Sequence, residues 1–173
     1  MLNKVVKSLA KGKYRRAVKW VDNILEEFKD LFSSGEEYLE ENVKKFIHDD
    51  PFLLVTSHRR ENILNKISLK NIVDLINSSD KKVLFPMGYA TQRQIKEFGL
   101  NLNKNVLVID PIGYLEFIYL LKKSQYCISD SGTVIEEACI LNIPSIQMRY
   151  STERPEVYEV GSSIKFDPTL EGQ

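Results

Sequence analysis

The stretch Val55-Thr56-Ser57-His58-Arg59-Arg60-Glu61-Asn62 takes an apolar run straight into a histidine and two arginines. Imidazole and guanidinium groups are the donors that suit a phosphate or carboxylate, and placing them beyond a strand concentrates them where an anion can sit. A second stretch, Ser129 to Ala138, reads SDSGTVIEEA: an apolar run, Tyr126-Cys127-Ile128, stops at Asp-Ser-Gly and a helical pattern begins. Gly132 allows close backbone approach, Ser131 can cap the helix, and the helix start presents free N–H groups and a positive dipole end. Glu136 and Glu137 fall in its first turns, where an outward carboxylate can accept both hydroxyls of a ribose diol. A third stretch, Met148-Arg149-Tyr150-Ser151-Thr152-Glu153-Arg154-Pro155-Glu156, again ends an apolar run, Ser145 to Met148, in charge, with Pro155 suited to the first turn of a helix. Each cluster has a plainer reading as well: a solvated charged loop, an ordinary Asp-Ser-Gly turn, a capping or structural His58. Their joint occurrence at strand ends favours one anion-binding crevice. Neither GxGxxG nor GxxxxGK[ST] occurs, so the common dinucleotide and triphosphate fingerprints are absent.

The elements that must position these clusters follow from hydrophobic rhythm. From Pro51 onward, continuous apolar runs at Phe52–Thr56, Lys82–Pro86, Val106–Ile109, Tyr126–Ser129 and Ser145–Met148 alternate with helical patterns near Leu69–Ile76, Arg93–Phe98, Leu115–Lys122 and Val134–Leu141. Continuous rather than alternating apolar runs belong to strands covered on both faces, and strand–helix–strand order makes the sheet parallel. The expected fold is α/β, a Rossmann-like parallel sheet over residues 50–173, in which ligands sit beyond the carboxyl ends of the strands.

Before it, residues 1–49 read as a helical segment of two helices. Ala17, Trp20, Val21, Ile24, Leu25, Phe28, Leu31 and Phe32 form one apolar stripe, Ser34-Gly35-Glu36-Glu37 reads as a stop followed by a capping box, and Tyr38, Leu39, Val43, Phe46 and Ile47 mark the second helix. Charge is split between blocks: residues 1–22 carry seven Lys or Arg against Asp22, and residues 23–50 carry nine acids against Lys29, Lys44 and Lys45. Such a pair packs on its neighbouring domain or serves as a docking surface for another chain or a basic face on anionic lipid.

Composition bounds the rest. The chain has 173 residues, 43% hydrophobic, with 24 basic and 24 acidic side chains, enough for one cored domain and without the charge excess of a nucleic-acid binder. Cys127 and Cys139 stand in apolar contexts as thiols of a reducing compartment, and with only His48 and His58 there is no metal-ligand spacing. No apolar run approaches the roughly 18 residues of a membrane span, so a cytoplasmic protein is expected.

The segments TSHRREN, PIGYLEFIYLL and SDSGTVIEEACILNIPSIQMRYSTERPEVYEVGS, in this order from about Pro51 to about Ser163, resemble the C-terminal half of the non-hydrolysing UDP-N-acetylglucosamine 2-epimerases. The resemblance implies half of a glycosyltransferase-B fold, and an enzyme interconverting UDP-N-acetylglucosamine and UDP-N-acetylmannosamine by removal of the C2 proton, expulsion of UDP and its re-addition. It implies a UDP site without cofactor or metal: His58 and Arg59 at the diphosphate, Ser131, Gly132 and Thr133 at the helix-start phosphate site, Glu137 on the ribose, Phe117 and the backbone around Ile112 at the uracil. Arg149, Thr152, Glu153 and Arg154 would face the sugar, and His58 is the one catalytic candidate.

Departures from the pattern also carry information. Gly88-Tyr89 stands where the family usually has His-Pro, and Thr133 where it commonly has a second glycine. The family's general acid and base carboxylates lie in an N-terminal domain that residues 1–50 do not supply. The resemblance therefore leaves two functions open: an epimerase half that turns over with a separate chain carrying the N-terminal domain, or a non-catalytic nucleotide-sugar binding or regulatory module. A helical adaptor with a relic sheet is a third.

Overall fold

The computed structural model describes residues 34–48, 50–152 and 154–170. The expected first helix, with its stripe from Ala17 to Phe32, lies outside the described residues. Six parallel strands form one sheet: β1 (Phe52–Thr56), β2 (Lys82–Pro86), β3 (Val106–Ile109), β4 (Tyr126–Ser129), β5 (Ser145–Met148) and β6 (Ser163–Phe166), in the order β3-β2-β1-β4-β5-β6. The first five have the bounds expected from their apolar runs. The sixth, Ser-Ile-Lys-Phe, was not expected; it is an edge strand whose Ile164 and Lys165 are exposed, so it lacks the continuous apolar run of a doubly covered strand.

The helices are α1 (Glu41–His48), α2 (Arg60–Ile63), α3 (Lys66–Asn77), α4 (Tyr89–Glu97), α5 (Tyr114–Lys123), α6 (Gly132–Ile140) and α7 (Glu156–Glu159). The capping box expected at Ser34-Gly35-Glu36-Glu37 does not open α1. Those residues form turns closed by Glu37 N–H to Ser34 O and Leu39 N–H to Glu36 O, both at 3.2 Å. The reason is packing. A Cβ at Gly35 would lie 2.7 Å from Tyr119 Cβ, so the backbone passes hard against α5 and the helix starts only at Glu41.

Strand pleating divides the core in two. Phe52 and Leu54 of β1 point into a cluster with Leu84, Cys127, Ile118, Leu120, Leu121 and Ala138, to which α1 contributes Val43 and the turn before it Leu39. Leu53 and Val55 point the other way, into a cluster with Val83, Phe85, Ile128, Met148 and the α3 residues Ile72 and Ile76. Every residue of β1 is buried, because this central strand has helices over both faces.

Local signals fix the helix ends. Asn65 caps α3, its Oδ1 accepting from Ile67 N–H at 2.9 Å and Ser68 N–H at 3.2 Å. Asn65→Ala is expected to cost about 1 kcal/mol in a urea melt, the scale of a lost N-cap; an unchanged midpoint would show the cap to be redundant there. Among the described residues no helix is long and apolar enough to cross a membrane. Both cysteines are free thiols, Cys127 buried and Cys139 half-buried.

The chain runs outward from β1 to β2 and β3, then returns across the sheet to lie beside β1 as β4. The crossover reverses between β1 and β4, so their carboxyl ends splay the connecting loops to opposite sides and leave a crevice there. The register brings Thr56 beside Ser129, and both flanking clusters, His58–Asn62 and Asp130–Thr133, emerge at that point.

Candidate functional site

The residue that organises the crevice is Asp130, which immediately follows β4 and is fully buried. Its carboxylate collects donors from the β1–α2 loop. Ser57 O–H donates to Oδ2 at 3.0 Å, the backbone N–H of His58 at 3.1 Å and that of Arg59 at 3.0 Å, and Asn62 Nδ2 at 3.2 Å. The Arg59 guanidinium adds a bond from Nε to the Asp130 carbonyl at 2.8 Å. A buried carboxylate is tolerable when its lone pairs are met, and here the donors are charge-assisted partners that also fix the loop. Asn62 donates at the same time to the Met148 carbonyl at 3.0 Å, and Thr91 O–H to the Ser57 carbonyl at 2.8 Å, so β4, β5 and α4 all hold the loop. The His58 side chain is left 61% exposed, with Nδ1 3.6 Å from Asp130 Oδ1. It projects into the crevice from a rigid base.

Residue types alone did not single out Asp130, since its partners lie about 70 positions away in the chain. The available signal was an acid placed directly after a strand of a parallel sheet, beside another strand end with free N–H groups.

The crevice has a volume of ≈ 520 Å³ and is lined by Thr56, Ser57, His58, Pro86, Gly88, Pro111, Ile112, Gly113, Tyr114, Phe117, Ser131, Thr133, Val134 and Glu137. That is the size of a small-molecule site. It brings together His58, Ile112, Phe117, Ser131, Thr133 and Glu137 of the expected residues. Gly132 is buried at the start of α6 just behind them, and Arg59 turns away to the Asp130 carbonyl and to Glu61, 3.3 Å from Nη1. Ile112 and Phe117 give one end of the crevice an apolar wall backed by the core. At the other end, Ser131 caps α6 by accepting from Val134 N–H at 3.5 Å, and the start of that helix faces the lining.

Glu137 is half-buried on α6, and the Tyr114 hydroxyl donates to its Oε1 at 3.0 Å. Burial raises its carboxyl above the usual range; the Tyr114 hydrogen bond works in the opposite direction and the neighbouring Glu136 adds to the rise. Burial, then the charge of Glu137, raises the Tyr114 phenol too. Beneath them Cys127 is pushed up to about 12, by burial first and Glu137 second, so this thiol stays protonated and inert. Tyr114 was also missed from sequence. It lies three residues before Phe117, one turn away on the same helix face, and that spacing was the signal.

The third cluster sits apart from the crevice lining. Arg149 is buried after β5, and its charge lowers the Tyr158 phenol against the larger rise that burial causes. Tyr158 O–H donates to Gln147 Oε1. Arg154 N–H donates to Thr152 Oγ1 at 3.1 Å, and the Arg154 guanidinium pairs with Glu136 on α6 at 2.5 Å. Glu153 lies outside the described residues. Among the described residues no group of His, Cys, Asp and Glu is placed to hold a metal ion.

Comparison with known proteins places the chain in a family. A family model described as UDP-N-acetylglucosamine 2-epimerase matches residues 14–171. The UDP-N-acetylglucosamine 2-epimerase of Methanocaldococcus jannaschii is 45% identical over 136 residues, 72% of this chain and 37% of that protein. Its namesake from Methanococcus maripaludis is 42% identical over 130 residues, 70% of this chain and 36% of that one. A crystal structure of the M. jannaschii protein in complex with UDP-GlcNAc and UDP superposes with a TM-score of 0.67 at 42% identity, covering 80% of this chain and 41% of that chain. The chain therefore spans less than half the length of the relatives it matches.

Proposed function

This chain belongs to the UDP-N-acetylglucosamine 2-epimerase family, and on that premise we propose that its crevice holds the UDP portion of a UDP-N-acetylhexosamine. The observation that carries the reading is the convergence of six expected residues, His58, Ile112, Phe117, Ser131, Thr133 and Glu137, on one crevice at the β1/β4 switch point. The uracil packs against Phe117 and the backbone at Ile112, the ribose diol donates to Glu137, and the diphosphate lies between His58, the Arg59 segment and the start of α6 at Ser131–Thr133. The sugar extends toward the segment after β5, with Arg149, Thr152, Glu153 and Arg154.

The reaction proposed is exchange of configuration at C2. A base removes the C2 proton while the C1–O bond breaks and its electron pair leaves with UDP. A proton is then delivered to the opposite face of C2 and UDP re-forms the C1–O bond. The crevice contributes the stabilisation of the departing diphosphate charge, through His58 and helix N–H groups that are already oriented before the bond breaks. It does not supply the base. Glu137 is the one carboxylate among the lining residues, and it is engaged by Tyr114. General base catalysis requires a group within hydrogen-bond reach of the C2 proton. Turnover in this proposal needs a second wall, such as a separate chain carrying an N-terminal epimerase domain. The same observation supports a second reading, a nucleotide-sugar binding module without turnover. The two free thiols fit a reducing compartment, and the proposed location is the cytoplasm.

Proton NMR of UDP-N-acetylglucosamine with the purified chain in D2O separates these readings. The expected result is line broadening of the uridine signals with the C2 proton retained, and C2 deuteration on adding a chain with the N-terminal domain. Deuteration by this chain alone would show that it holds its own base. Retention in every pairing would leave the binding module, and unbroadened uridine signals would remove the UDP site.

A further inference from the structure

We propose that Tyr114 is the positioning residue of the ribose carboxylate, and that by holding Glu137 it makes the crevice select a ribonucleotide over its 2′-deoxy counterpart. The inference rests on the UDP reading above and goes beyond it, to how the sugar of the nucleotide is recognised.

Tyr114 is the first residue of α5, directly after Gly113, and it is 55% exposed. Its ring therefore does little to fill the core. What it does is cross from α5 to α6, where its hydroxyl donates to Glu137 Oε1 at 3.0 Å. Both residues line the crevice. An ionised carboxylate offers about four acceptor sites on two oxygens. One donor fixed on Oε1 leaves Oε2 and the second lone pair of Oε1 to meet a vicinal diol, whose two hydroxyls match two carboxylate oxygens as a fork. Left alone, the terminal torsion of a glutamate is broad and roughly two-fold, so a free carboxylate must be ordered when the ligand arrives. Tyr114 removes that torsional freedom beforehand. A 2′-deoxyribose presents one hydroxyl, for which a fixed carboxylate plane is worth much less.

The groups around Glu137 agree with this assignment. Across the crevice is His58, beneath is the protonated thiol of Cys127, and on the same helix is Glu136, itself paired with Arg154. Burial disfavours the ionised form of Glu137, Glu136 adds to that, and the Tyr114 hydroxyl is what opposes it. Tyr114 thus holds the carboxylate both oriented and charged.

Calorimetric titration of UDP and 2′-deoxy-UDP into the chain and its Tyr114→Phe variant, between pH 5 and 8, tests the proposal. The variant is expected to bind UDP about five- to ten-fold more weakly, less than the roughly 10- to 150-fold scale of a hydrogen bond made directly to a charged group because Tyr114 acts through Glu137, and to bind 2′-deoxy-UDP within about two-fold of the parent. Loss of the phenol also raises the Glu137 carboxyl further, so the fall of UDP affinity on acidification should begin at a higher pH in the variant. In a Glu137→Gln background the same change should leave the ratio of the two ligands unaltered. Equal weakening of both ligands with an unmoved acid limb would reduce Tyr114 to a scaffold residue. Unchanged UDP affinity would overturn the proposal while leaving the UDP site standing, whereas failure of the parent chain to bind UDP would overturn both.

Discussion

Asp130→Asn is expected to lower the unfolding free energy by about 2–4 kcal/mol, and to abolish UDP binding even where the variant remains folded. The carboxylate is fully buried and receives the Ser57 hydroxyl, two backbone N–H groups and the Asn62 amide. An amide of the same shape must turn an NH2 group toward donors. With the amide oxygen in the Oδ2 position its NH2 group faces the His58 N–H, which lies 3.2 Å from Oδ1, donor against donor, and the remaining bonds lose charge assistance. The binding loss follows from geometry, since the Asp130 carboxylate receives the backbone N–H groups of His58 and Arg59 themselves, whereas the other contacts hold the loop at Ser57, Asn62 and the Arg59 side chain. Urea melts and UDP calorimetry on the variant measure the two effects separately. A stability change within about 0.5 kcal/mol, the range of ordinary surface substitutions, would show that the loop is held by other contacts.

Glu137→Gln is expected to behave in the opposite way: weaker binding without weaker folding. On the proposed reading the variant loses about 1.5–3 kcal/mol of UDP affinity, or roughly 10- to 150-fold, the scale of hydrogen bonds to a charged acceptor. Folding should not suffer. The carboxyl is raised mainly by burial, so its ionised form is penalised in the folded state. That penalty is present at neutral pH and is relieved as pH falls through the raised pKa, so a neutral amide at this position should keep or raise the melting temperature near pH 7. UDP affinity of the parent chain has the reverse dependence: it is full where Glu137 is ionised and declines as acid protonates it, at a higher pH than an ordinary glutamate would require. A Gln variant with parental affinity would take Glu137 out of the ribose site. One with a markedly lower melting temperature would make it a folding residue instead.

Much of the sheet was legible because its strands are continuous apolar runs, most fully buried in the centre at β1. Phe52–Thr56 and Tyr126–Ser129 are apolar runs that stop where the chain leaves the core, and a run that ends for that reason marks its own boundaries. Ser163–Phe166 was illegible because Ile164 and Lys165 both face solvent and its four residues make no apolar run, whereas the other edge strand, Val106–Ile109, is apolar throughout. The crevice was legible at residues whose chemistry is local. Ser131 announces the helix cap that α6 has, and a histidine placed just beyond a strand end lies in the crevice lining as its position suggests. Asp130 and Tyr114 were not, because the role of each is defined by a partner on another element. Asp130 acts through an N–H at Arg59, and Tyr114 through a carboxylate at Glu137; no window of sequence contains either pair. The turn at Gly35 failed similarly, its apparent capping box overridden by close approach to α5.

The placement of β4 beside β1 has a consequence for how the molecule is made. Leu53 pairs with Tyr126 and Thr56 with Ser129, so the central ladder joins residues 73 positions apart. A ribosome delivering about 5–20 residues per second exposes β1 for several seconds before its inner partner emerges. During that interval β1, β2 and β3 can pair, but the flank of β1 that will receive β4 is an unprotected apolar edge. High contact order of this kind slows folding, since the closure entropy is paid before the contacts that reward it. The crevice and its Asp130 clamp come into being at that same late step, so the proposed nucleotide site does not exist until β4 has emerged and paired with β1.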